Sequence, residues 1–142
     1  MNIQEIMQRI DYSSPIVQVA SFSLSSGGSD QEKINIGAQS MFVNNIYIAA
    51  IDDDGQVLLE TQYAAEDWLY IQIRDNDNKV YFTDPITLWA LNKLGQSAIF
   101  RGWLLRSQLE MTIDITAAGI PAAAKLNDPI SIQVTFAGYK LT

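Results

Sequence analysis

Two periods divide this chain. Ile3, Ile6, Met7 and Ile10 recur at the i, i+3, i+4, i+7 spacing of one helix face, and beyond Ile16 apolar positions alternate with polar ones. Asn2 stands where an N-cap belongs, Glu5 completes a capping-box pair, and Asp11-Tyr12-Ser13-Ser14-Pro15 supplies residues that stop the helix. A helix under three turns long is marginal alone in water and needs a surface to cover its apolar side. The clearest alternation sets Leu109, Met111, Ile113 and Ile115 against Gln108, Glu110, Thr112 and Asp114, the signature of a half-buried strand. Ile130, Ile132, Val134 and Phe136 repeat it near the C-terminus. Weaker runs give strands over 16–24, 33–37, 41–51, 56–62, 67–74, 79–82 and 98–105.

Turn chemistry separates these runs. Ser25 to Ser29 with Gly27 and Gly28, Asp52-Asp53-Asp54-Gly55 and Asp75-Asn76-Asp77-Asn78 all read as turns, the last two hairpin-like. Asp84 as N-cap, Pro85 at the first helical position and Gly95 at the end predict a short helix over 86–94, with a strand as the rival reading. Leu126-Asn127-Asp128-Pro129 is a further turn, and 117–124 a loop of small residues. Short strands at close spacing without βαβ alternation predict an all-β, antiparallel, jelly-roll-like sandwich. The expected organisation is an N-terminal helix and linker over 1–15 and one sandwich domain over 16–142.

Composition narrows the chemistry. The 142 residues contain no His and no Cys, which removes the imidazole base, the thiolate nucleophile and the usual ligands of catalytic metals. No enzyme activity and no cofactor are expected. Nine basic residues, scattered singly, and a net charge of −7 argue against nucleic acid as a partner. No window is long and apolar enough for a membrane span. Eleven Gln and eight Asn give an uncharged polar surface suited to contact with other proteins.

Four groups remain as candidate sites. Asp52, Asp53 and Asp54 with Asp75 and Asp77 offer oxygen ligands for calcium if their hairpins meet, but EF-hand spacing is lacking and such residues also stabilise turn backbones. Glu60, Glu66, Asp67 and Glu110 are the acids from which a glycosidase pair would have to come, and nothing singles out two of them. Trp68 and Tyr70 fall on the strand face opposite Leu69, Ile71 and Ile73, where aromatic rings stack on sugars or plug into proteins. The apolar helix face of Ile3, Ile6, Met7 and Ile10 is the fourth surface, an assembly contact.

The order of pieces from Leu69-Tyr70-Ile71-Gln72-Ile73-Arg74-Asp75 through Tyr81-Phe82-Thr83-Asp84-Pro85-Ile86, Phe100-Arg101-Gly102-Trp103-Leu104-Leu105 and 109–116 to the closing 132–141 resembles small β-sandwich structural proteins of bacteriophage virions, of the minor-capsid or head-decoration kind. The resemblance covers 67–142 and is one of spacing and chain ending. It implies a particle component made in bacterial cytoplasm, located in the virion, homo-oligomeric and in contact with other virion proteins. The alternative is a carbohydrate- or receptor-binding module on the same sandwich, with Trp68 and Tyr70 as its platform.

Overall fold

The structure, a computed structural model, describes residues 2–24, 28–51, 69–96, 102–117 and 130–142. Helix α1 (Ile3–Arg9) opens on the expected capping box: the Glu5 amide donates to Asn2 Oδ1 at 2.9 Å and the Asn2 amide donates to Glu5 Oε2 at 3.0 Å. The chain then turns extended at Ile10 and enters β1 (Ile10–Leu24) with no intervening loop. The expected turn at 11–15 is expressed as an irregularity within that strand, where pairing slips between Ile10 and Pro15. Asp11 holds it, its carboxylate accepting from the Ser13 amide, the Ser13 hydroxyl and the Ser14 hydroxyl at 2.6–3.0 Å. Those three hydrogen bonds, the Ser13 side chain foremost, hold the Asp11 carboxyl below its usual range.

Next come β2 (Ser29–Asn35), β3 (Met41–Ile51), β4 (Leu69–Asp75), β5 (Ile86–Thr87), helix α2 (Leu88–Gln96), β6 (Trp103–Leu105), β7 (Glu110–Ala117) and β8 (Ile130–Leu141). They form two antiparallel four-stranded sheets, ordered β1-β8-β3-β6 and β2-β7-β4-β5. Each sheet alternates early and late strands, so every neighbour but β4–β5 arrives by a crossover, which is the connectivity of a jelly roll rather than a meander. The inner faces meet in one apolar core: Phe22, Met41, Ile46, Val134 and Phe136 from one sheet, Ile71, Ile73, Met111, Ile113 and Ile115 from the other. Gly138 sits where β8 passes closest to β3; a β-carbon there would run into the carbonyl oxygen of Phe42.

Several sequence boundaries shift. The helix predicted over 86–94 begins after a two-residue strand, because Ile86 pairs with Ile71 and the Thr87 hydroxyl, not Asp84, accepts from the Ala90 amide. Both rival readings of this segment are therefore partly realised. The 79–82 run contributes a single bridge, Val80 to Arg74, and bends over 81–84. The predicted strand at 56–62, the Asp52 to Gly55 turn and the 117–124 loop beyond Ala117 lie outside the described residues.

The described sheet edges carry several blunting features. β5 and β6 are two and three residues long. On β2, Asp30 and Glu32 share the strand face of buried Ile34, placing charge on the inward side of an edge. On β1, Pro15 and the slipped register interrupt the N-terminal half. These devices discourage edge-to-edge strand addition.

Candidate functional site

The Asp75–Asn78 turn is built from its own aspartates. Asp75 Oδ1 accepts from the Asp77 and Lys79 amides at 2.9 and 3.1 Å, and Oδ2 accepts from the Tyr81 hydroxyl at 3.0 Å. Asn78 takes the left-handed conformation, φ 64°, that closes such a hairpin and that Asn tolerates well. Asp77 is gripped from outside the turn by Arg106, whose Nε and Nη2 donate to its two oxygens at 2.6 and 2.7 Å. That pairing holds the Asp77 carboxyl below its usual range and raises the Arg106 guanidinium. Asp75 and Asp77 thus spend their oxygens on backbone amides, a phenol and a guanidinium. Asp52, Asp53 and Asp54 lie outside the described residues, and no cluster of metal-ligating side chains forms among the described ones.

The outer face of the β2-β7-β4-β5 sheet is polar and carries its charges in pairs. Lys33 lies 3.3 Å from Glu110, and Arg74 lies 3.3 Å from Asp114, which also accepts from Gln31 Nε2 at 2.7 Å. Glu110, one of the acids considered for glycoside cleavage, is therefore a half-buried ion-pair partner on a strand surface; Glu60, Glu66 and Asp67 lie outside the described residues. Tyr70 falls on this outer face, opposite buried Leu69 and Ile71 as its spacing predicts, and is flanked by Thr116 and Thr87. Trp68 lies outside the described residues. Beside Tyr70, an open cleft is lined by Ser29, Asp30, Gln31, Arg74, Asp114 and Thr116.

A second aromatic group was invisible to period counting. Tyr81 and Trp103 meet edge to face at 5.0 Å between ring centres, and Trp103 also neighbours Phe82 and Phe136 at 6.3 and 6.1 Å. Lys79 Nζ lies 4.5 Å from the centre of the Tyr81 ring. Burial foremost, and the carboxylate of Asp75 next, push the Tyr81 phenol well above its usual range. These rings close the core behind the Asp-rich turn, and sequence separation of more than 20 residues hid their meeting.

Helix α1 is clasped to the other end of the chain. Arg9 Nε donates to the Thr142 carbonyl at 2.7 Å, the Thr142 amide donates to the Arg9 carbonyl at 2.8 Å, and Ile10 pairs with Leu141. Ile6 is buried at 9% exposure, Ile10 is half-buried, and Met7 is 56% exposed. The predicted stripe is thus split between a covered residue and an open one.

The outer face of the β1-β8-β3-β6 sheet differs from all of these. On β1 it presents Val17, Val19, Ser21 and Ser23; on β8, Ser131, Gln133, Thr135 and Ala137; on β3, Asn45, Tyr47, Ala49 and Ile51. The register lines them up in rows, Val19–Thr135–Tyr47 and Val17–Ala137–Asn45 among them. Tyr12 packs edge to face on Tyr139 at 5.2 Å at the end of the face. None of its paired outward positions from Pro15 to Ser23 on β1, from Ser131 to Tyr139 on β8 and from Asn45 to Ile51 on β3 is Asp, Glu, Lys or Arg; Asp11 precedes them in the irregular start of β1.

No family model and no curated protein matches this chain. Among solved structures it is similar to the crystal structure of the infectious bursal disease virus VP2 subviral particle, with 11% identity and a TM-score of 0.37. The match covers 92% of this chain and 33% of that one, so the chain spans about a third of its length. A similarity of that size assigns neither family nor function. No helix among the described residues is long and apolar enough to cross a membrane.

Proposed function

We propose that this chain is a non-enzymatic structural component of a virus particle, of the minor-capsid or decoration kind and from a bacteriophage, working through contacts with other virion proteins. The observation that carries the reading is the uncharged outer face of the β1-β8-β3-β6 sheet on a jelly roll. Jelly rolls serve as viral capsid domains, lectins and cupins, which is an argument by analogy of fold. Without a single His or Cys the metal site of a cupin has lost its usual ligands. A charge-free sheet face is what protein contact favours, since charged groups are costly to desolvate at the centre of an interface. Exposed Met7 on α1 adds a second point at which a neighbouring particle protein docks.

The second reading is glycan or receptor binding at the cleft beside Tyr70, where hydroxyls, an amide, a guanidinium and two carboxylates surround open space. Arg74 and Asp114 there are already paired with each other, and Asp30 accepts from the Ser23 and Gln31 amides, which favours the first reading. An antibody against the purified chain separates the two. The chain should co-sediment with density-purified particles from the source culture and survive a high-salt wash on them. Recovery in the soluble fraction alone, together with selective glycan-array binding that Tyr70→Ala abolishes, would reverse the order of the readings.

A further inference from the structure

Exposed apolar side chains are concentrated on one side of this molecule. The large hydrophobic residues left exposed among the described ones are Met7, Tyr12, Val17, Val19, Tyr47, Ile51, Val80 and Leu104. All but Met7 and Val80 belong to the β1-β8-β3-β6 sheet, on the outer face or its rim. Val17 and Val19 are 57% and 49% exposed on consecutive outward positions of β1, and Tyr47 is 47% exposed in the same row as Val19. Apolar groups scattered singly over a surface need no explanation, whereas a contiguous patch marks a contact site.

Charge decides what covers it. The chain carries a net charge of −7, so two copies repel each other over most of their surfaces. A two-fold contact sets one patch against itself, so a charge near the axis meets its own sign and a patch of one sign repels its copy. This face is free of that conflict at its paired outward positions on β1, β8 and β3, which are Pro, Val, Ser, Thr, Ala, Gln, Asn, Tyr and Ile. The opposite sheet face, with Lys33, Arg74, Glu110 and Asp114, is already paired internally. Short β5 and β6 and the inward charges of β2 blunt three of the four described edges, which makes the face a broader route to association than the strand borders. Three long strands ~4.8 Å apart and about ten residues long at ~3.3 Å each, with the three-residue β6 at the rim, give a footprint on the order of 500 Å² before side-chain relief is counted. Two such faces bury about 1,000 Å² in total, the lower bound of a specific interface, which fits a reversible dimer.

We infer that a second copy of this chain docks on the outer face of the β1-β8-β3-β6 sheet about a two-fold axis, in a sheet-on-sheet contact centred on Val17, Val19, Thr135 and Tyr47. The inference deepens the assembly reading and rests on it for biological use, while its geometry rests on the surface alone. The two sheets pack ~10 Å apart with their outward residues interdigitating, as sandwich layers do.

Sedimentation of the full chain over a range of concentrations tests it, with Val19→Glu and Tyr47→Glu on the face and Thr116→Glu on the opposite sheet as variants. The expected result is a reversible dimer that each face variant weakens at least about tenfold, with unchanged circular dichroism and melting temperature, and that Thr116→Glu leaves intact. A chain still monomeric at about 100 µM, well above the µM constants at the weak end for interfaces of this size, overturns the inference. So does a dimer indifferent to both face variants. Particle co-sedimentation of the same variants keeps the two proposals apart. A monomer that still enters particles removes the self-docking contact and leaves the virion role; a face-dependent dimer never found in particles does the reverse.

Discussion

Asp77 illustrates how a residue type chosen for turns acquires a second task from a distant strand end. Its place in the 75–78 turn is local chemistry, but its two oxygens are held by Arg106, 29 positions away. Because that pairing lowers its pKa in the folded chain, the ion pair contributes stability above the unfolded carboxylate value of ~3.9 and loses it as pH falls through the lower folded value. Asp11, lowered by Ser13 and Ser14, acts in the same direction. Asp77→Asn should therefore leave stability nearly unchanged at low pH, reduce it modestly at neutral pH, and flatten the acid limb of the urea midpoint against pH. The difference should shrink in high salt, since both groups are exposed. A variant with the wild-type pH profile would show that Arg106 contributes nothing at this turn.

At the scale of elements, helix α1 shows what a short amphipathic segment does when it is tied down at one end. Seven residues cannot hold a helix in water, and the capping box adds only about 1 kcal/mol. Burial of Ile6 and the backbone clasp between Arg9 and Thr142 supply the rest. Ile6→Ala should cost about 2 kcal/mol, the low end for a buried isoleucine, and release protection from hydrogen exchange in α1 and the last residues of β8 together. Met7→Glu should change stability by under ~0.5 kcal/mol while reducing attachment to particles. Guanidinium unfolding and particle binding, measured on both variants, distinguish a helix that covers its own chain from one that also docks. Equal stability losses from the two would contradict the split between Ile6 and Met7.

For the whole molecule, a net charge of −7 and one uncharged face make association a balance between long-range repulsion and short-range apolar contact. Raising sodium chloride from ~20 mM to ~500 mM shortens the Debye length about fivefold, so it should strengthen the dimer several-fold. A dimer that dissociates in salt would mean ion pairs hold it, at odds with this face. The strands were legible in the sequence because each face of a sandwich sheet imposes a period of two, and Leu69, Ile71, Ile73, Met111, Ile113, Ile115, Ile132, Val134 and Phe136 all occupy the core that their alternation predicts. The capping box of α1 and the Asp75–Asn78 turn were equally legible, since their hydrogen bonds join residues two to four apart. What alternation leaves open is which strands lie side by side, and that choice decides the contact surface. β8 is separated from β1 and β3 by more than half of the chain, yet its pairing with both is what merges three separate half-polar patterns into one uncharged face. The same pairing carries Tyr139 under Tyr12 and Arg9 onto Thr142. Each strand alone determined which side faces water; only the order β1-β8-β3-β6 determined what that side becomes when three strands share it, because lateral neighbours in a sheet are set by tertiary packing and not by sequence proximity.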